Sequence, residues 1–210
     1  MAAWVQIKMT MHMTLYAPLY GLVLAGGKSN RMGRDKGAMD YHGLPQREYA
    51  YALLEEVCEK AFLSLRSDQA ADIPGNYRTL TDQDRYRGPL NGILSAHADF
   101  PDAAWLVLAC DLPLMDRESL EFLVSRRDPN KVATAYATEA SGLPEPLAAI
   151  WEPSALRAAK DYLKNATSSC PRKFLLQSDI RLVVAEEDTV LANANDPRER
   201  EAILQKLKER

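Results

Sequence analysis

An α/β fold with a mainly parallel central sheet is predicted for this chain by three observations. Short, fully apolar runs recur along it, helix-length amphipathic segments lie between them, and the first run ends in a glycine pair. That run, Leu19 to Ala25 (LYGLVLA), reads as a buried strand stopped by Gly26-Gly27. Ala61 to Leu65 and Trp105 to Ala109 repeat the pattern, and Val132 to Thr138, Leu147 to Trp151 and Ile180 to Val184 are further strand candidates. Glu48 to Lys60 carries Tyr49, Ala52, Leu53, Val57 and Cys58 at helical spacing; Leu90 to Phe100, Asp116 to Arg127, Ser154 to Asn165 and Asp196 to Lys208 complete the helices. Ser154 after Pro153, and Asp196 before Pro197, are candidate helix caps. Strands that alternate with helices build a sheet covered on both faces.

At 210 residues, one domain over 19–210 accommodates all these elements. Residues 1–18, crowded with Met1, Met9, Met11 and Met13, read as an extension upstream of the core. This extension has neither a membrane-length apolar run nor a cleavage site for secretion. A net charge of −3 argues against a general nucleic-acid binder. It leaves room for a phosphorylated ligand, which needs only a few local cations and backbone amides. Cys58, Cys110 and Cys170 are odd in number and widely spaced, so neither a disulfide framework nor a zinc site is expected. A reducing, cytoplasmic setting follows, with no membrane contact.

The chemistry concentrates just after the first strand, where open α/β sheets place their ligands. Gly26 and Gly27 let a ligand approach the backbone, and Lys28, Arg31, Arg34 and Lys36 crowd positive charge into the next few residues. Free amides, little side-chain bulk and nearby cations are what a polyphosphate requires. No register supplies a Walker A loop or a dinucleotide fingerprint. Taken alone, the segment is also compatible with a turn beside a solvated basic loop.

The segment Leu-Ala-Gly-Gly-Lys-Ser-Asn-Arg-Met-Gly-Arg-Asp-Lys, residues 24–36, resembles the signature of molybdenum cofactor guanylyltransferases, within the nucleotidyltransferases that include sugar-nucleotide pyrophosphorylases. The resemblance continues in order through Asp82 with Gly88-Pro-Leu-Asn-Gly-Ile93, Ala109-Cys-Asp-Leu-Pro113, Glu145-Pro-Leu147 and Asn193-Ala-Asn-Asp-Pro197. It implies a Rossmann-like three-layer sandwich of the nucleotide-diphospho-sugar transferase type. The implied reaction transfers GMP from GTP to molybdenum–molybdopterin and releases pyrophosphate. Mg²⁺ would be the cofactor, and molybdenum-insertion and acceptor proteins would be transient partners.

Carried onto this sequence, the resemblance puts Leu24, Ala25, Gly26, Gly27, Lys36, Asp82 and Asp111 at the nucleotide. Arg31, Lys36 and Asp111 are the catalytic candidates, with Asp111 on the metal. Arg172, Lys173, Asn193 and Asn195 are candidates for the pterin side. Several of these have a plainer reading. Asp111 is a possible turn or cap residue, Asn193 and Asn195 a turn, and Arg172-Lys173 a solvated helix start. Cys110 reads as a small buried residue rather than a nucleophile. His12, His42 and His97 lie outside the signature segments, and a phosphate nucleophile, ionised near neutrality, needs no strong base. Asp82 can accept both N1–H and the exocyclic amine of guanine. Cytidylyl-transferring relatives tend instead to read Leu-Ala-Ala-Gly and Asp-x-Asp. The chain departs from the pattern at Asp196, where threonine is usual, and at Pro171 and Lys173, near which paired arginines are common. Cytidylyl transfer, transfer to a sugar phosphate, and non-catalytic nucleotide binding are the competing functions.

Overall fold

The computed structural model of the chain describes residues 16–27 and 35–209. Seven strands among these residues form one sheet in the order β3-β2-β1-β4-β6-β5-β7. They are β1 Leu19–Leu24, β2 Lys60–Leu65, β3 Thr79–Thr81, β4 Ala104–Ala109, β5 Ala133–Ala137, β6 Pro144–Trp151 and β7 Ile180–Val184. All neighbouring pairs are parallel except those of β6, which runs antiparallel to β4 and β5. Among the described residues six α-helices accompany the sheet: α1 Gln46–Val57, α2 Pro89–Asp99, α3 Arg117–Ser125, α4 Pro153–Asn165, α5 Pro171–Leu175 and α6 Pro197–Glu209.

Two apolar layers sandwich the sheet because successive side chains of a strand point to opposite faces. In β1, Leu19 and Val23 join a core with Leu53 and Leu54 of α1 and Leu120 and Leu123 of α3. Leu22, between them, joins the opposite core with Leu90, Ile93 and Leu94 of α2 and Leu156 of α4. β4 alternates likewise and all six of its residues are buried, as a central strand requires. Gly21 has its own reason: a Cβ there would lie 2.7 Å from Cβ of Leu54, so α1 packs on the strand only because no side chain intervenes. No helix among the described residues is long and apolar enough to cross a membrane.

Some sequence expectations need correction. The helix expected to run to Lys60 ends at Val57, and Lys60 already opens β2, pairing with Tyr20. Ser154 is not a cap: α4 begins one residue earlier, at Pro153, and Glu152 holds the cap position without a side-chain cap bond. The carboxylate of Glu152 is spent elsewhere. It is 3% exposed and accepts two bonds from Arg127, Nε–Oε1 at 2.7 Å and Nη2–Oε2 at 2.9 Å. Arg127 also donates to the carbonyl of Ala17, and Ala104 N donates to that of Pro18, fastening the chain just ahead of β1. Asp196 does cap its helix, accepting from the amides of Arg198 and Glu199.

Because Glu152 neutralises a largely buried guanidinium, Glu152→Ala should cost about 3 kcal/mol of stability, read from the urea midpoint at constant slope. An unchanged midpoint would mean that water solvates Arg127 where the structure places Glu152.

Candidate functional site: the mouth of the sheet between β1 and β4

Strand order reverses between β1 and β4. The chain leaves β1 toward β2 on one side, and β4 lies on the other. Ligands of open α/β sheets bind in the crevice at such a switch point, beyond the carboxyl ends of the strands. Four parallel strands deliver residues to that edge: Ala25, Gly26 and Gly27 after β1, Arg66 after β2, Asp82 after β3, and Cys110 and Asp111 after β4. All of them line a cavity of about 540 Å³, together with Leu24, Lys36, the N-terminal turn of α2 and Leu147 of β6. The amino end of α2 adds the positive end of a helix dipole to this wall.

At one side of the cavity three distant parts of the chain meet. The Lys36 ammonium donates to Oδ1 of Asn195 at 2.6 Å and pairs with Oδ2 of Asp111 at 3.4 Å. The Lys36 and Asp111 side chains are 21% and 24% exposed, so a ligand can reach both. Local structure explains the meeting. Lys36 opens a 3-10 turn (Lys36–Ala38) started by Asp35, whose Oδ1 accepts from Gly37 N at 2.9 Å. Asp111 follows β4, which is paired along its length with β1. Asn195 arrives because Ala194 N donates to the carbonyl of Asp111 at 2.9 Å, pinning the last turn to the strand end.

Among the described residues no group of three or more His, Cys, Asp or Glu side chains is placed to hold a metal. The donors present are nonetheless hard oxygens, one carboxylate from Asp111 and one amide oxygen from Asn195. A magnesium-like cation takes one or two carboxylates and completes its shell with phosphate and water. The donor set fits such an ion if the nucleotide supplies the rest.

At the other side of the cavity lies Asp82. Its amide donates to the carbonyl of Leu65, extending the β2–β3 pairing by one step, and its Oδ1 accepts from Ser64 Oγ. Burial raises its carboxyl pKa, bonds from Ser64 and Asn91 pull against that rise, Asp84 adds to it, and Arg66 opposes it. Two glycines make room for this carboxylate. A Cβ on Gly26 would sit 2.8 Å from Oδ2 of Asp82, and one on Gly92 would sit 2.5 Å from Ser64 Oγ and 2.9 Å from Cδ2 of Leu24.

The remaining candidates are scattered. Arg31, with the rest of residues 28–34, lies outside the described residues. Arg172 donates to the carbonyl of Pro144 and pairs with Glu145 at 2.7 Å. With Asn193 it lines a second, smaller cavity of about 200 Å³. Lys173 is exposed and lines neither cavity. The two asparagines therefore face different spaces, Asn195 the Lys36–Asp111 pair and Asn193 the Arg172 side. Cys110 is buried, and burial with Asp111 beside it pushes its thiol pKa far up, which keeps it protonated and inert. His42 stacks on Tyr49, its Nε2 2.8 Å from the Pro113 carbonyl, and His97 is buried with its pKa pushed down to about 4. Neither histidine lines the large cavity.

Arg66, Gln69 and Ser64 were missed by sequence reasoning. Their only signal was position, at and just past the end of the second buried run, and that gains meaning once β2 is known to lie beside β1.

The chain is 40% identical over 181 residues to the molybdenum cofactor biosynthesis bifunctional protein of Synechocystis sp., covering 86% of this chain but 52% of that one, so it spans about half of that relative. It is 32% identical to the molybdenum cofactor guanylyltransferase of Pseudomonas aeruginosa, over 84% of this chain and 89% of that one. The crystal structure of molybdopterin-guanine dinucleotide biosynthesis protein A from Archaeoglobus fulgidus has the same fold, with a TM-score of 0.75 at 20% identity, over 91% of this chain and all of that one. The MobA-like NTP transferase domain matches residues 21–182, the stretch that contains the glycine turn, Lys36, Asp82 and Asp111, and the chain accordingly belongs to that nucleotidyltransferase family.

Proposed function

We propose that this chain transfers the guanylyl group of GTP to the terminal phosphate of molybdenum–molybdopterin, forming molybdopterin guanine dinucleotide and releasing pyrophosphate. The convergence of Lys36, Asp111 and Asn195 at the β1/β4 crevice carries the reading. It supplies one cation and two oxygen donors beside a cavity whose far wall is the Asp82 carboxylate. The names of the relatives described above support the same substrates.

In this reaction an oxygen of the pterin phosphate bonds to the α-phosphorus of GTP, and the bond from that phosphorus to the β-bridging oxygen breaks. The nucleophile is a phosphate monoester, largely ionised at neutral pH, so the site needs no strong base; Cys110 is inert, and neither His42 nor His97 lines the cavity. The protein's task is to hold two anions together and stabilise the departing charge. Lys36 is suited to the β- and γ-phosphates and to the pyrophosphate that leaves, and we assign Arg31 to the same anion. Asp111, with the amide oxygen of Asn195 beside it, would hold Mg²⁺, which when bound supplies Lewis-acid charge neutralisation to the phosphate oxygens. Arg172 and Asn193, with Lys173 nearby, are assigned to the pterin side.

Guanine rather than cytosine is favoured by Gly26. The alanine found there in cytidylyl-type sequences would place its Cβ against Oδ2 of Asp82 and drive away the carboxylate that can accept two guanine donors. A cytoplasmic setting suits an enzyme whose Cys58, Cys110 and Cys170 are all free thiols. Residues 19–210 act as the catalytic unit, and exchange with insertion and acceptor proteins would be transient.

Pyrophosphate release with purified molybdenum–molybdopterin and Mg²⁺ is expected with GTP and not with CTP. Asp111→Ala should lower kcat at least about a hundredfold, the scale of losing a preorganised charge stabiliser. Lys36→Ala should lower kcat more than it weakens GTP binding. Equal turnover with CTP, or full turnover by Asp111→Ala, would refute the reading.

The raised pKa of Asp82 gives a pH dependence with a definite sign. Guanine needs the ionised carboxylate, and protonation removes it, so affinity for guanosine should fall on acidification. The fall should begin above the pH at which an ordinary aspartate, pKa about 3.9, titrates. Equilibrium titration of guanosine, which carries no phosphate to titrate, across acid pH measures this, and a Kd that stays flat down to that ordinary value would contradict the assignment of Asp82 to the base.

A further inference from the structure

We infer that Arg66 and Gln69, at the corner where β2 ends, are positioning residues that aim the glycine turn at polyphosphate. Arg66 Nη1 donates to the carbonyl of Gly26 at 2.8 Å and to that of Gly27 at 3.3 Å. Its other edge is locked by Asp68, Nε–Oδ1 at 2.9 Å and Nη2–Oδ2 at 3.2 Å. Gln69, buried at 6% exposure, accepts from Arg66 N at 3.1 Å. Its amide group donates to the carbonyl of Ala25 at 3.2 Å and to Oδ2 of Asp35 at 3.0 Å. The corner therefore grips three successive carbonyls ahead of residues 28–34 and a carboxylate just after them.

Gripping the carbonyls fixes where the amides point. In a trans peptide the C=O of one residue and the N–H of the next point in opposite directions, and the described residues contain no cis bond. Holding the Ala25 and Gly26 carbonyls from the β2 side turns the Gly26 and Gly27 N–H groups away from that side, where an anion can take them. Asp35 is held from two directions, by Gln69 and by Arg47 at 3.4 Å, and it is Asp35 that starts the turn carrying Lys36. One corner of β2 thus orients both the amides and the ammonium. Arg66 serves as an anchor through its fork geometry, which a lysine cannot reproduce.

This inference rests on the nucleotide reading for its ligand, and the experiment separates the two. Wild type, Arg66→Lys and Gln69→Leu are titrated with GTP, tripolyphosphate and guanosine, each with Mg²⁺, alongside thermal unfolding. Arg66→Lys keeps the charge and Gln69→Leu never had one, so direct attraction to phosphate is not what is lost. Each variant is expected to raise Kd for GTP and tripolyphosphate about tenfold, the scale of one or two lost hydrogen bonds, and to leave guanosine within about twofold. Wild-type affinity for tripolyphosphate in the folded variants would overturn the inference, as would an equal loss for guanosine. If one variant does not fold, the other decides. A wild type that binds tripolyphosphate but does not prefer GTP over CTP would sink the guanylyl reading alone, and one that binds neither polyphosphate would sink both.

Discussion

An ammonium shared between a carboxylate and a carboxamide is the contact on which the site depends. Lys36 brings the segment after β1, Asp111 the end of β4, and Asn195 the turn before the last helix, so the contact closes the chain on itself across most of its length. It forms because β1 and β4 are parallel neighbours in full register, which brings their carboxyl ends to one edge. Without that pairing, Lys36 and Asp111 would be two unrelated surface charges, worth little to each other in water. In the partly shielded crevice they form a small field of opposite charges facing a cavity of nucleotide size.

The cavity has two ends with different physics. Around Lys36, Asp111 and Asn195 the groups are charged and wet, suited to phosphate and a hard cation. Around Asp82, Leu24, Gly92 and the Ser64 hydroxyl close on one half-buried carboxylate whose pKa burial pushes upward. A half-buried acceptor of that kind, if a base sits against it, discriminates more sharply than a fully exposed one, because a ligand without matching donors leaves it unpaired. Glycine at 26 and 92 supplies the space. Small substitutions at these two positions would reshape this end of the cavity without touching the Lys36–Asp111 end.

Much of this was legible in the sequence, for identifiable reasons. β1 and β4 announced themselves because they are buried on both faces and so read as unbroken apolar runs. The glycine turn, Lys36 and Asp111 followed from their positions at the ends of those runs. β3 escaped because it is a three-residue strand with one buried side chain, Leu80, and so carries no periodic signal. The helix ends at Val57 and not at Lys60: Cys58 continues the helical spacing in sequence, but the pairing of Lys60 with Tyr20 decides for the strand. Asn193 and Asn195 looked equivalent in sequence. The bond from Ala194 to Asp111 separates their roles, since it ties the turn to the strand end with one asparagine on either side. Arg66 and Gln69 could not be seen, because their partners are main-chain carbonyls some forty residues away and no side-chain motif marks them.

In the proposed reaction Lys36 and Asp111 act on one polyphosphate rather than on separate parts of the molecule. A double-mutant cycle on kcat for pyrophosphate release, with Lys36→Ala, Asp111→Ala and the double variant, decides whether they do. Shared action predicts strong non-additivity, the double variant falling little below the worse single one and leaving a coupling of about 1 kcal/mol or more. Losses that multiply independently would mean that the two side chains act on separate groups.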